Sequence, residues 1–136
     1  YAKQIAKKLH LEIVLLPNKW DYVSSEHVVQ TGVGPKEFVS LIRHADYVLT
    51  DSYHGSIFSL IFQRDFQYLL RFNNDDPASQ NMRIQSLFDF LDLNDRIISA
   101  DLKNLPAIRI ENYRMVTSKI EEMRVKSEKY LQNCFK

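Results

Sequence analysis

Short apolar runs alternate along this chain with segments in which apolar residues recur every three or four positions. The short runs are typical of strands and lie at residues 11–16, 46–50 and 66–70, with a fourth predicted at 96–99. The run at 11–16 is predicted to be a buried strand, and residues 18–33 are polar and predicted to be irregular. The helical spacing occurs at residues 1–9, 35–44, 56–62, 82–91 and 111–133. The pattern therefore predicts an alternation of helices and strands over the whole chain.

This alternation predicts an α/β fold, a Rossmann-like three-layer domain with a mostly parallel sheet between helices. We expect residues 1–136 to form a single domain that ends in the long amphipathic helix at 111–133. Tyr1 is not an initiator residue, and it opens a helix with no capping residue before it. The chain is therefore expected to be a fragment of a longer two-domain protein.

The composition argues against nucleic acid, a membrane span and metal ions as partners of the chain. The 136 residues are 45% hydrophobic and 26% charged, and 18 Lys and Arg against 17 Asp and Glu give a net charge of +1. This balance gives no general attraction to nucleic acid. No apolar run approaches the ~18 residues that a membrane span needs. We expect the protein to lie in the cytoplasm, where it can also work at the inner face of the membrane. Cys134 is the single cysteine, and the histidines lack metal-ligand spacing, so we predict no metal site.

Ligands of parallel sheets collect beyond the carboxyl ends of the strands. The first strand end offers Asn18 and Lys19, the second the residues from Thr50 to Gly55, and the third Arg71. The second is the most informative, because a helix is predicted to follow it directly.

At this strand end, Asp51 or Ser52 is predicted to cap the helix, with Tyr53, His54 and Gly55 in its first turn. Free backbone N–H groups and the helix dipole make such a turn suitable for an anion. Gly55 lets a ligand approach the backbone, and His54 can bind an anion or donate a proton. The alternative is an ordinary capped helix whose histidine only packs against a neighbouring loop.

Two arginines flank the polar loop that follows the third strand. Arg71 and Arg83 are candidates for binding a charged substrate. Isolated arginines more often serve solvent or ion pairs, and that alternative stays open here.

Residues 34–62, with Thr50-Asp-Ser-Tyr-His-Gly55 at their centre, resemble the polysaccharide pyruvyl transferase family. In that family a T-D-S-x-H-G turn precedes an apolar helix. Residues 81–96 resemble its S-R-I-x-S-L-L stretch, with Asn81 in place of the serine, and the long last helix is also similar. The resemblance extends roughly from Gly32 to the end of the chain.

The resemblance implies a glycosyltransferase-B-like protein of two Rossmann-type halves, of which this chain is the C-terminal one. Family members transfer a pyruvyl unit from phosphoenolpyruvate to sugar hydroxyls of capsules or exopolysaccharides, giving a pyruvate ketal. The donor is a substrate, and no cofactor is implied. The family's histidine corresponds to His54, as a donor contact or general acid/base, and Arg83 matches the arginine of S-R-I. Some members have R-L-H in the turn, where this chain has Ser52 and Tyr53 before the histidine.

The residues also leave two other functions open. One is the nucleotide-sugar-binding half of an ordinary glycosyltransferase, and the other is a non-catalytic sugar-binding or assembly module. For pyruvyl transfer, the function that the resemblance implies, the expected substrate-binding residues are Asp51, Ser52, Tyr53, Gly55, Arg71 and Arg83, and the expected catalytic residue is His54. The isolated fragment is expected to be inactive, because half of a two-domain cleft is missing, and to self-associate through exposed apolar surface.

Overall fold

A computed structural model describes residues 1–16, 28–29, 31–70, 81–98 and 113–135. It divides into two compact units, Tyr1–Asp46 and Tyr47–Lys136. The two units are described separately below.

The described residues of the first unit form two helices and a pair of short parallel strands, and Ile5 and Ile42 are buried apolar residues among them. Its elements are α1 (Ala2–Leu9), β1 (Val14–Leu15), β2 (Val28–Val29) and α2 (Pro35–His44). Strand β1 pairs in parallel with β2. Helix α2 begins where the sequence predicts, because Gly34 is extended and the fixed φ of Pro35 suits the first helical position.

Two predictions in this unit need correction. The apolar run at 11–16 was expected to be a buried strand, but β1 covers two residues and Val14 is 47% exposed. The segment that pairs with it, β2, lies in a stretch predicted to be irregular. An apolar run indicates that a strand is present, but its burial depends on what packs over it, which local sequence does not encode.

The second unit is built around a three-stranded, wholly parallel sheet among the described residues, with strand order β3-β4-β5. Its elements are β3 (Tyr47–Thr50), α3 (Tyr53–Ile61), β4 (Asp65–Leu69), α4 (Asn81–Leu91), β5 (Ile97–Ile98) and α5 (Tyr113–Cys134). Helix α3 lies between β3 and β4 in the chain, and α4 lies between β4 and β5. This is the βαβ arrangement expected for parallel strands.

The core of the second unit joins the central strand to the helices. Phe66 and Phe88 are fully buried, and their rings meet edge to face with centroids 5.8 Å apart. Tyr68 contacts the same Phe88 ring in the same geometry at 6.1 Å. Leu60 of α3 and Val116 of α5 belong to this cluster. Helices α3, α4 and α5 are therefore all packed against the central strand, β4.

The predicted mixed α/β fold with a parallel open sheet and flanking helices is confirmed in this unit. The strands nevertheless lie in two sheets rather than the single sheet that was expected, because β1 pairs with β2. The glycosyltransferase-B-like architecture and the organisation of residues 1–136 as one domain stay predictions. Across the described segments, every helix is too short or too polar to cross a lipid bilayer.

Candidate functional site

The turn after β3 is held by hydrogen bonds between its own residues. Thr50 ends the strand, and its Oγ1 accepts a hydrogen bond from the Ser52 backbone N–H at 3.1 Å. Ser52 is the N-cap of α3, and its Oγ accepts from the Gly55 N–H at 3.4 Å. The Ser56 N–H then donates to the Ser52 carbonyl at 3.1 Å, which closes the first helical turn. Of the two predicted capping residues, Asp51 and Ser52, the serine is the one that caps.

Gly55 is buried directly against Thr50. A Cβ atom on Gly55 would lie 3.1 Å from the Thr50 Cβ and 3.2 Å from its Cγ2. The predicted reason for this glycine was the approach of a ligand to the backbone, and that stays a prediction. The structure shows a second reason for a glycine at this position, because α3 packs closely on the end of β3 and a Cβ atom would meet Thr50.

The two side chains in the first turn of α3 lie in different surroundings. Tyr53 is half-buried and packs against the core cluster of the second unit. His54 is exposed, and its ring meets the Tyr53 ring edge-on with centroids 6.1 Å apart. An imidazole at this place is accessible to a molecule that binds at the helix end. Asp51, just before the cap, is also exposed.

Arg83 reaches this turn from the next helix. It is the third residue of α4, and its Cζ lies 4.6 Å from the centroid of the Tyr53 ring. This distance is within the range of a cation–π contact. The long Arg83 side chain thus links the first turn of α4 to the first turn of α3, and the two helices follow consecutive strands, as the sequence predicts.

The electrostatics of this place favour an anion. Both helices direct the positive ends of their dipoles, and the N–H groups of their first turns, to the side on which they begin. Neither helix has an acidic residue in its first turn, although the exposed Asp51 directly precedes the α3 cap, and Arg83 adds a full positive charge. Two helix ends and a guanidinium are a suitable arrangement for a phosphate or carboxylate group.

The structure thus brings together the predicted residues of the α3 turn and Arg83. The predicted Arg71, and Asn18 and Lys19 at the first strand end, lie outside the described residues. Sequence reasoning missed the contact between Tyr53 and Arg83. Local periodicity carries no signal for it, because the two residues belong to different helices.

Among the described segments, no group of three or more His, Cys, Asp or Glu side chains is arranged to hold a metal ion.

The fold and the turn together define a parallel α/β protein with a candidate anion-binding site at the carboxyl end of its sheet. Residues 2–66 match the sequence model of the polysaccharide pyruvyl transferase family. The match includes the turn from Thr50 to Gly55, and it confirms the resemblance to this family over those residues. The resemblance expected for residues 81–96 and helix α5 stays a prediction, because these residues lie beyond the match. Neither a search of curated proteins nor one of solved structures gave a significant match.

Proposed function

We propose that this chain is part of a pyruvyl transferase that modifies a surface polysaccharide. The family match supports a general role in pyruvyl transfer, and it includes the whole turn that carries His54. In our proposal the donor is phosphoenolpyruvate, and the acceptor is a pair of hydroxyl groups on one sugar residue. The product is a cyclic pyruvate ketal, and inorganic phosphate is released.

The proposed donor suits the charge of the site. Phosphoenolpyruvate has a phosphate and a carboxylate, with up to three negative charges in total. The first turn of α3, capped by Ser52, offers backbone N–H groups to one of these anionic groups. Arg83 offers two parallel N–H donors to the other, which is the geometry that guanidinium groups favour. Arg71 is proposed as a further donor contact.

The reaction needs an acid beside the bound donor. Protonation of the methylene carbon leaves positive charge on the adjacent carbon, to which the first sugar hydroxyl adds with loss of its proton. Departure of phosphate regenerates that positive charge, and the second hydroxyl then adds with loss of its proton. We assign the first protonation to His54, because its exposed ring lies in the turn that would hold the donor. General acid catalysis of this kind is typically worth about 10²–10⁴ in rate.

The isolated 136-residue chain is not expected to turn over. In a two-domain transferase the acceptor would bind the other half, so the site is complete only when both walls of the cleft are present. Activity is therefore to be measured on the full-length protein.

The direct test uses the full-length protein with phosphoenolpyruvate and sugar acceptors. We expect phosphate and pyruvate ketal to form in equal amounts, with the ketal measured from its methyl signal in the NMR spectrum of the product. Parallel reactions contain nucleotide sugars in place of phosphoenolpyruvate. Glycosyl transfer from a nucleotide sugar, with no reaction of phosphoenolpyruvate, would contradict the proposal and support an ordinary glycosyltransferase. Binding of neither donor would indicate a non-catalytic module.

A further inference from the structure

The two residues of the Tyr53–Arg83 contact differ in burial, which suggests that they have different roles. The Tyr53 ring is half-buried and packs against the core cluster that includes Leu60 and Phe88. Arg83, by contrast, is exposed. One partner is thus fixed by the core, and the other is a long side chain at the surface.

A surface arginine ordinarily samples many rotamers, and holding it in one of them costs conformational entropy. The face of an aromatic ring attracts a guanidinium and limits this freedom, while the edge N–H groups stay available to a ligand. A guanidinium already restrained in the free protein loses less entropy when an anion binds. The 4.6 Å contact therefore predisposes Arg83 to bind an anion beside the α3 turn.

We propose that Tyr53 is a positioning residue, which holds the Arg83 guanidinium in place for an anionic group of the donor. This inference rests on the proposed function for the identity of the donor. Tyr53 acts through Arg83 and touches no reacting atom. Only the ring face is needed, so the phenolic hydroxyl is dispensable.

The substitutions Tyr53→Leu and Tyr53→Phe separate the ring from its hydroxyl. Tyr53→Leu keeps an apolar side chain against the core but removes the aromatic face. An exposed cation–π contact is worth about 0.5–1 kcal/mol, so we expect the KM for phosphoenolpyruvate to rise roughly 2–5-fold with kcat unchanged. Tyr53→Phe keeps the ring face and removes only the hydroxyl, so we expect it to raise KM by a smaller factor than Tyr53→Leu does. Arg83→Gln removes the charge itself, and we expect it to raise KM by roughly 10–100-fold.

The decisive measurement is the coupling between the two residues. If Tyr53 acts through Arg83, then Tyr53→Leu has no further effect on KM in a protein that already carries Arg83→Gln. A merely structural role would instead lower kcat, or raise KM by the same factor in both backgrounds. Either of those results, or a Tyr53→Phe variant as impaired as Tyr53→Leu, would overturn the inference. Circular dichroism of each variant checks that it folds.

Failure of the proposed function has a different signature. If the wild-type protein transfers no pyruvyl group from phosphoenolpyruvate, the wild type, Tyr53→Leu, Arg83→Gln and the double variant are titrated with inorganic phosphate by calorimetry. Phosphate binding with the same coupling would leave the positioning role standing without the pyruvyl transferase. Pyruvyl transfer with a KM indifferent to Tyr53→Leu would leave the enzyme standing without the positioning role. Absence of both transfer and phosphate binding would overturn both.

Discussion

Ser52 caps helix α3, and it lies where we expect the anion of the donor to bind. Its Oγ accepts the Gly55 N–H, so its replacement by alanine is expected to cost about 0.5–2 kcal/mol of folding free energy. Ser52→Asp keeps an acceptor for this N–H and is expected to unfold in urea at a midpoint near the wild-type value.

The same Ser52→Asp substitution adds a negative charge where we expect the donor anion. We predict that it weakens binding of phosphoenolpyruvate at least tenfold, measured by calorimetry on the full-length protein. Ser52→Ala is the control, because it disturbs the cap without adding charge. Unchanged affinity in the Ser52→Asp protein would contradict an anion site at this turn.

Gly55→Ala is a second test at the scale of one residue. Alanine normally stabilises a helix relative to glycine by about 1 kcal/mol. Here the new Cβ would lie 3.1 Å from the Thr50 Cβ, so we expect a loss of about 1–3 kcal/mol in the free energy of unfolding. In the matched control, Gly34→Ala, the new Cβ meets the flexible end of Glu37, which can move away. Equal effects of the two substitutions would contradict the close packing of Gly55 on Thr50.

The sequence predicts single residues well where their role is local. The capped turn from Thr50 to Gly55 follows from a strand, a serine and a glycine within six positions. The role of Tyr53 as the partner of Arg83 does not follow, because the intervening segment gives no indication of which side chain the arginine meets.

The burial of Ser56 and Ser59 was also not predictable, because serine usually lies at the surface. The Ser59 hydroxyl donates a hydrogen bond to the Gly55 carbonyl, and this bond allows Ser59 to be buried.

At the scale of secondary-structure elements, helix α5 divides into two parts. Val116 is 4% exposed and belongs to the core, whereas every described residue from Glu121 onward is exposed. The first part fixes the helix to the second unit, and the second part contributes little to its stability.

Two identical substitutions on this helix test the division. We expect Val116→Ala to lower the free energy of unfolding by about 1–3 kcal/mol, through lost burial and a cavity. Val125→Ala, at a position that is 55% exposed, is expected to change it by less than about 0.5 kcal/mol. Urea unfolding followed by circular dichroism measures both. A large loss for Val125→Ala would show that the exposed part of the helix is covered in solution.

The helices and the strands of the second unit were predicted to within a few residues, whereas the strands of the first unit were not, and the reason is physical. Helix α2 has the predicted bounds, Pro35–His44, because a proline start and one apolar face are both encoded locally. Helices α4 and α5 begin and end within two residues of the prediction. The pairing of β1 with β2 depends instead on contacts between distant segments, so the sequence predicted β1 as too long and too buried and missed β2.

At the scale of the whole molecule, Tyr113 connects the last helix to the central strand region. Its hydroxyl donates a hydrogen bond to the Arg64 carbonyl. Burial raises the pKa of Tyr113 well above its ordinary value of 10.0, and the nearby Asp65 carboxylate adds to the effect. The neutral phenol is therefore the form that the folded protein favours.

This shift predicts a dependence of stability on alkaline pH. Because the pKa of Tyr113 is higher in the folded than in the unfolded state, its contribution is fully present below pH 10 and is lost as pH rises toward the folded-state value. Tyr113→Phe removes the hydrogen bond, at a cost of about 0.5–1.5 kcal/mol at pH 7, and should flatten the alkaline loss. Tyr130→Phe, at an exposed position of the same helix, is the control. An equally steep alkaline loss in wild type and Tyr113→Phe would contradict the assignment.

The measurement that tests the central claim most directly is the rate of pyruvyl transfer by the full-length protein carrying His54→Ala. The matched control is His44→Ala, which removes an exposed histidine whose Nδ1–H donates to the Ser40 carbonyl of its own helix at 2.8 Å. We predict a loss of about 10²–10⁴ in kcat for His54→Ala and little change for His44→Ala. Turnover by the folded His54→Ala protein at the wild-type rate would contradict the account.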